Sequence, residues 1–162
     1  MRALLIAMLG LLLSACGFQP PNVIKLSKVS TPFVVNSQNP YSSLADNIER
    51  ALSANGVKLA KSGESAYAIT INSEQSDTKP LSLDQFAQVR EYVARYRVVY
   101  SLSDSQGSTL IDKQEVELRR EYSYDLNTSA GSPAELELLQ REMQAEMIQS
   151  ILRRTNIILQ AQ

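Results

Sequence analysis

The sequence predicts an α+β fold: a two-layer sandwich with two helices packed on one face of a four-stranded, largely antiparallel sheet. Three observations carry that expectation. Residues 90–103 and 109–124 alternate apolar and polar side chains with the period of two that marks strands buried on one face. Two other segments combine helix-start signals with a one-sided apolar stripe. The order along the chain is strand, helix, strand, strand, strand, helix, and two such helices must cover the one apolar face of the sheet.

The elements follow in order. Val23 to Asn36 is strand-like in composition, with Ile24, Leu26, Val29, Phe33, Val34 and Val35, and Pro32 argues for an edge position or a bulge. Leu44, Ile48, Ala51 and Leu52 recur at helical spacing, with Asn55-Gly56 as the stop. Either Ser43 with Asp46 as a capping box or Asn39 followed by Pro40 can start that helix. Ala66 to Asn72 is the second strand, alternating Tyr67, Ile69 and Ile71 with Ala68 and Thr70. Ser73 to Gln88 is polar, contains Lys79-Pro80, and is expected to be an irregular connection.

The third strand, 90–103, places Tyr92, Ala94, Tyr96, Val98, Tyr100 and Leu102 on one face and Arg95, Arg97, Ser101 and Ser103 on the other. Asp104-Ser105-Gln106-Gly107 is turn chemistry. The strand after it puts Val116, Leu118 and Tyr122 opposite a face of Lys113, Glu115, Glu117, Arg119 and Glu121, so the two form a long hairpin. Ser132-Pro133-Ala134-Glu135 then opens a helix with an N-cap Ser, Pro at the first helical position and a capping-box Glu. Its stripe is Leu136, Leu139, Met143, Met147, Ile151 and Ile158, and Arg153-Arg154 are expected near its end, where cations favour the helix dipole.

Composition excludes much chemistry. The chain has 162 residues, no His, no Trp and one Cys, with 16 Lys and Arg against 17 Asp and Glu. Without imidazole there is no Ser-His or Cys-His pair and no histidine metal ligand. The near-neutral balance gives no broad positive field for nucleic acid. Asp46/Glu49, Glu115/Glu117 and Glu135/Glu137 supply paired carboxylates, but each pair lies on a helix end or a polar strand face, where capping or solvation accounts for it. There is no Gly-rich phosphate loop, CxxC or cofactor fingerprint, so no enzyme activity, cofactor or metal is expected.

The N-terminus supplies the clearest functional signal. Met1-Arg2 is followed by an apolar run of 11 residues, Ala3 to Leu13, and by the small pair Ser14-Ala15, the pattern of a signal peptide. The run is far below the roughly 20 residues that cross a bilayer core. Leu13-Ser14-Ala15-Cys16 resembles the bacterial lipobox, in which the Cys thiol takes a diacylglycerol before cleavage and the new amino terminus is then acylated. An ordinary signal peptide with a chance Cys, or a buried structural thiol, is the alternative. The expected organisation is residues 1–15 as signal peptide, 16–22 as a lipidated tether stiffened by Pro20-Pro21, and 23–162 as one domain. Removing 15 residues from 162 leaves a mature chain of 147, with 15 basic and 17 acidic residues. Acyl chains on Cys16, at about 0.8 kcal/mol per buried CH₂, anchor it durably. Gly17 in place of Asp after the Cys implies, by resemblance to other lipoproteins, sorting to the outer membrane.

The wet hairpin face carries the remaining candidate site. Arg95, Arg97 and Arg119, with Arg90 and Arg120 nearby, offer guanidinium groups that hold phosphates in bidentate fashion, as an anionic glycolipid requires. Interleaved Glu115, Glu117 and Glu121 make cross-strand ion pairing the competing explanation.

Several pieces together resemble the LPS-assembly lipoprotein family, LptE. They are the mature start Cys16-Gly17-Phe18-Gln19, the run Leu44-x-x-x-Ile48-x-x-x-Leu52-x-x-x-Gly56-Val57, and Arg120-Glu121-Tyr122-Ser123-Tyr124-Asp125 followed by Glu135, Leu139, Met143 and Ile151-Leu152-Arg153-Arg154. The chain departs from the family at Pro20-Pro21-Asn22, where Leu-Arg-Gly is common. It departs again at Thr155, where a Leu usually follows the Arg pair, a change expected to lie on the surface of a helix end. The resemblance implies an outer-membrane lipoprotein that sits inside the large β-barrel LptD, helps it assemble, and binds lipopolysaccharide. The candidate lipopolysaccharide contacts, Arg90, Arg95, Arg97 and Arg119, rest on the polar hairpin face and not on the resemblance. A periplasm-facing accessory module that regulates an envelope enzyme or transporter is the competing function.

Overall fold

A computed structural model describes Leu26, residues 29–123 and residues 133–161. The signal peptide, Cys16, the tether, most of the segment before Val29, the loop 127–132 with Ser132, and Tyr124 lie outside those residues. The elements are β1 (Phe33–Ser37), α1 (Leu44–Ala54), β2 (Tyr67–Leu83), β3 (Val89–Ser103), β4 (Thr109–Ser123) and α2 (Pro133–Gln160). They form one four-stranded sheet in the order β1-β2-β3-β4. β1 runs parallel to β2 and the other neighbours are antiparallel, so the expected α+β sandwich holds with a mixed sheet. Pro32 precedes β1, an edge strand, and its carbonyl accepts from the Tyr67 N–H.

Both helices cover the same sheet face. Leu44, Ile48 and Leu52 of α1 join Phe33, Ile69, Ile71, Val98, Tyr100 and Leu102 of the sheet and Met143, Met147, Ile148, Ile151 and Leu152 of α2 in one buried cluster. Each such apolar side chain contributes about 1.5–3 kcal/mol relative to exposure. α1 starts at Leu44, and its N-cap Ser43 makes no side-chain cap bond; the Ser42 hydroxyl accepts from the Leu44 N–H instead, while Asn39 Oδ1 accepts from the Tyr41 N–H in a turn ahead of the helix. α1 ends in a Schellman motif: the Val57 N–H donates to the Leu52 carbonyl and the Gly56 N–H to Ser53. Gly56 adopts φ 76°, which glycine takes without strain.

The structure departs from the sequence expectation at three places. Ser73 to Leu83 is strand, not irregular connection, and β2 pairs with β3 as far as Leu83↔Val89. A register shift between Ile71 and Ser73 changes which residues face the core. Before it Ile69 and Ile71 are buried; beyond it the residues paired to the core-facing Val98, Tyr96 and Ala94 are Glu74, Ser76 and Thr78. No apolar alternation survives there, and the pairing partner alone keeps the strand.

The second departure is at Thr155, which is fully buried with an unpartnered hydroxyl rather than on the surface. The third is at the end of α2, which continues to Gln160 with no basic residue in its last turn. Arg153 and Arg154 are therefore too far from the terminus to serve the dipole, whose influence is confined to the last turn.

The two hairpins turn on the same device. Asp84 Oδ1 accepts from the Phe86 and Gln88 N–H groups, and Asp104 Oδ1 accepts from Gln106 and Ser108, all at 2.8–2.9 Å. Gly107 holds φ 86° in one turn; in the other the same place is taken by Ala87 at φ 59°.

Candidate functional site

The sheet face turned away from the helices carries the predicted arginines. Register places Arg95 between Asp77 of β2 and Arg119 of β4, and Arg97 between Gln75 and Glu117. The Arg95 Nη2 donates to Asp77 at 2.7 Å, and the Arg97 Nη2 and Nε donate to Glu117 at 2.8 and 3.0 Å. Arg119 donates to the other Glu117 oxygen at 2.6 Å, and Arg97 also lies 3.4 Å from Glu115. Glu117 thus bridges two guanidinium groups, which together hold its carboxyl below the usual range, Arg119 most and then Arg97. Asp77 is lowered chiefly by its hydrogen bond from Arg95, and Arg97 is raised chiefly by Glu117.

The face therefore brings Arg95, Arg97 and Arg119 together as an ion-paired lattice. Its most accessible guanidinium is Arg119, with a side chain 67% exposed and only a shared carboxylate. Arg90 stands apart at the β2–β3 turn, 3.0 Å from Asp84, whose pKa is lowered chiefly by the Gln88 N–H. Arg120 lies on the opposite, helix-covered side, paired with Glu146 of α2. Asp77, missed because its segment looked irregular, completes the lattice. Both faces of that segment are polar, Ser73-Glu74-Gln75-Ser76-Asp77-Thr78-Lys79, so no residue pattern in the sequence singles Asp77 out.

Among the described residues one concavity, of about 380 Å³, lies between the end of β4 and the N-terminal half of α2, and two more flank the helices. One, of about 220 Å³, is lined by Glu74, Ser76, Tyr96, Gln140, Met143 and Gln144. There the Tyr96 hydroxyl donates to Glu74 at 2.5 Å, and burial together with that carboxylate pushes the phenol far above its ordinary value of 10.0. The phenol stays protonated and acts as a fixed donor. The other is a groove of about 530 Å³ between α2 and β4, lined by Leu118, Glu146, Ser150, Arg153, Arg154, Ile157 and Ile158. Beneath α2 the Tyr100 hydroxyl is buried without a partner; burial raises its pKa, and the charge of Arg154 opposes the rise. Among the described residues no group of three or more Asp, Glu, Cys or His converges as a metal site, and no helix is long and apolar enough to cross a membrane.

This sandwich, with its polar outer sheet face, is a fold found in bacterial lipoproteins. The solution structure of lipoprotein B from Nitrosomonas europaea is similar at a TM-score of 0.73 and 27% identity, covering 90% of this chain and 94% of that one. Rare lipoprotein B from Shewanella oneidensis (TM-score 0.66, 23% identity, 80% and 98% covered) and a minor lipoprotein from Acinetobacter baumannii (0.64, 23%, 80% and 92%) share the fold. No curated protein matches the chain. The model of the lipopolysaccharide-assembly family, LptE, matches residues 30–155, and the chain belongs to that family. It is a lipopolysaccharide-assembly lipoprotein.

Proposed function

We propose that this lipoprotein is held at the periplasmic side of the outer membrane by acyl chains on Cys16 and forms a complex with the LptD β-barrel. There it aids the barrel's assembly and the delivery of lipopolysaccharide to the cell surface, without enzymatic chemistry. The observation that carries this reading is the family match, which spans every strand and both helices to Thr155. The fold supports it physically. One sheet face is sealed by two helices, and the other is a lattice of charges suited to a water-filled lumen, where polar side chains stay solvated.

In this proposal Arg90, Arg95, Arg97 and Arg119 contact the phosphates of lipopolysaccharide. Each now holds a carboxylate, so a phosphate must replace that partner or share the guanidinium. Because Glu117 serves Arg97 and Arg119 at once, a phosphate arriving at the exposed Arg119 leaves Glu117 fully paired to Arg97. Exchange of an exposed pair is cheap, since such pairs are worth about 0–1 kcal/mol.

Purification of the full lipoprotein in mild detergent tests the partnership: a large outer-membrane barrel should co-purify in near-stoichiometric amount, and recovery of the protein alone would refute it. Arg95→Ala with Arg97→Ala should weaken lipopolysaccharide binding more than barrel association. Equal loss of both would show these arginines to be structural.

A further inference from the structure

We infer that the groove between α2 and β4 is a second lipid-contact site, which takes the phosphate of an acylated, phosphorylated lipid on Arg153 and Arg154 and an acyl segment along Leu118, Ile157 and Ile158. The inference deepens the proposed lipopolysaccharide reading and rests on it for the identity of the lipid.

The groove differs from the sheet face in the state of its charges. On the sheet face the arginines are committed to Asp77, Glu115 or Glu117. In the groove the single acid, Glu146, is taken by Arg120, while Arg153 and Arg154 form no ion pair among the described residues. The local balance is two uncompensated guanidinium groups, and an incoming anion displaces no protein carboxylate.

The floor is apolar. Ile157 is 58% exposed, an uncommon position for an isoleucine on a helix that buries Met147, Ile151 and Leu152 on its other side. Glu146, Ser150, Arg153, Arg154 and Ile157 recur at the three- and four-residue spacing of one helical stripe, which faces Leu118 of the edge strand β4. Two adjacent cations beside exposed aliphatic surface complement an anionic amphiphile. Neither a free phosphate, which would leave the isoleucines wet, nor an uncharged acyl chain, which would leave the arginines unused, matches both halves. A volume of about 530 Å³ lies within the range of roughly 300–1,000 Å³ typical of small-ligand sites.

The arginines have no structural duty that competes with this use. They lie outside the last turn of α2, so the helix dipole does not account for them. Placing them next to the helix-covered core rather than on the sheet face lets the lipid be gripped from the side opposite the Arg95–Arg119 lattice.

The test uses the full-length lipoprotein in dodecyl maltoside micelles, with lipid A and phosphatidylglycerol as separate probes and phosphatidylcholine as the zwitterionic control. Lipid A should bind, and Arg153→Ala with Arg154→Ala should weaken it at least five-fold. Arg153→Lys with Arg154→Lys should retain most of the affinity. Ile157→Asp, at an exposed position where the fold is not at stake, should weaken lipid A by a similar factor, and thermal melts confirm that each variant is folded. Lipid A binding that changes less than two-fold in both groove variants overturns the groove and leaves the lipopolysaccharide reading standing. Arg-dependent binding of phosphatidylglycerol without lipid A binding keeps the groove and overturns that reading. If neither lipid binds and the groove variants lose only a co-purifying protein, the groove is a protein contact and the inference fails.

Discussion

Replacing Thr155 by Val should stabilise the protein, and the size of the gain follows from the site. The residue is 0% exposed, within the buried face of α2 defined by Ile151 and Leu152, and its Oγ1 has no hydrogen-bond partner. A buried hydroxyl without a partner costs about 1–3 kcal/mol. Val keeps the volume and the branched Cβ, with nearly the same helix propensity, so the substitution exchanges one desolvated hydroxyl for a methyl with little repacking. The expected gain is about 1–2 kcal/mol, or roughly 2–8 °C in Tm at 2–4 °C per kcal/mol for a chain of this size. Thr155→Ser keeps the hydroxyl and deletes the methyl, and should lose about 1 kcal/mol. Urea denaturation followed by circular dichroism measures both, with the slope of the transition held in common. A Val variant no more stable than the parent, at unchanged slope, would refute the reasoning: the hydroxyl would then hold a water or a backbone carbonyl in solution. Tyr100→Phe applies the same logic to the other unpartnered hydroxyl.

Three further outcomes are expected. Ala87→Gly should stabilise by about 0.5–1 kcal/mol, the left-handed strain of Ala87 at φ 59° less the entropy cost of glycine, and amide exchange at the Asp84–Gln88 turn should slow. Asp77, Asp84 and Glu117 have folded pKa values below their ordinary 3.8, 3.8 and 4.5, so the stability they add is fully present above about pH 4.5. That contribution should disappear as pH falls below those values, and Glu117→Gln should flatten the loss in acid melts. Cys16→Ala should abolish acylation, seen as loss of the lipid mass in intact-protein mass spectrometry and release of the chain from the membrane fraction.

Much of the fold was legible in the sequence because burial there is one-sided. β3 buries Ala94, Tyr96, Val98, Tyr100 and Leu102 and leaves the alternate residues only half-buried, and α2 carries a long apolar stripe. The outer half of β2 was not legible, because the register shift after Ile71 turns Glu74, Ser76 and Thr78 toward the core side and no residue pattern distinguishes the two faces. Its turn was hidden as well, since Ala87 occupies the left-handed place where a glycine is the usual signal.

The same gap governed the site. The arginines were visible on the alternating face, but the carboxylate of Asp77 belongs to the illegible half of β2, so only the structure shows how completely Arg95 is paired. Thr155 and the Arg153-Arg154 pair were misplaced because helix length sets their environment. α2 runs on to Gln160, which moves the arginines out of the last turn and turns Thr155 into the core.

The most direct test of the proposed role is depletion of this protein in its own host, followed by quantifying lipopolysaccharide in the outer leaflet. If it serves assembly of the barrel and delivery to the surface, surface lipopolysaccharide falls and the full-length chain restores it, whereas Cys16→Ala restores it poorly. Unchanged surface lipopolysaccharide after complete depletion would contradict that role.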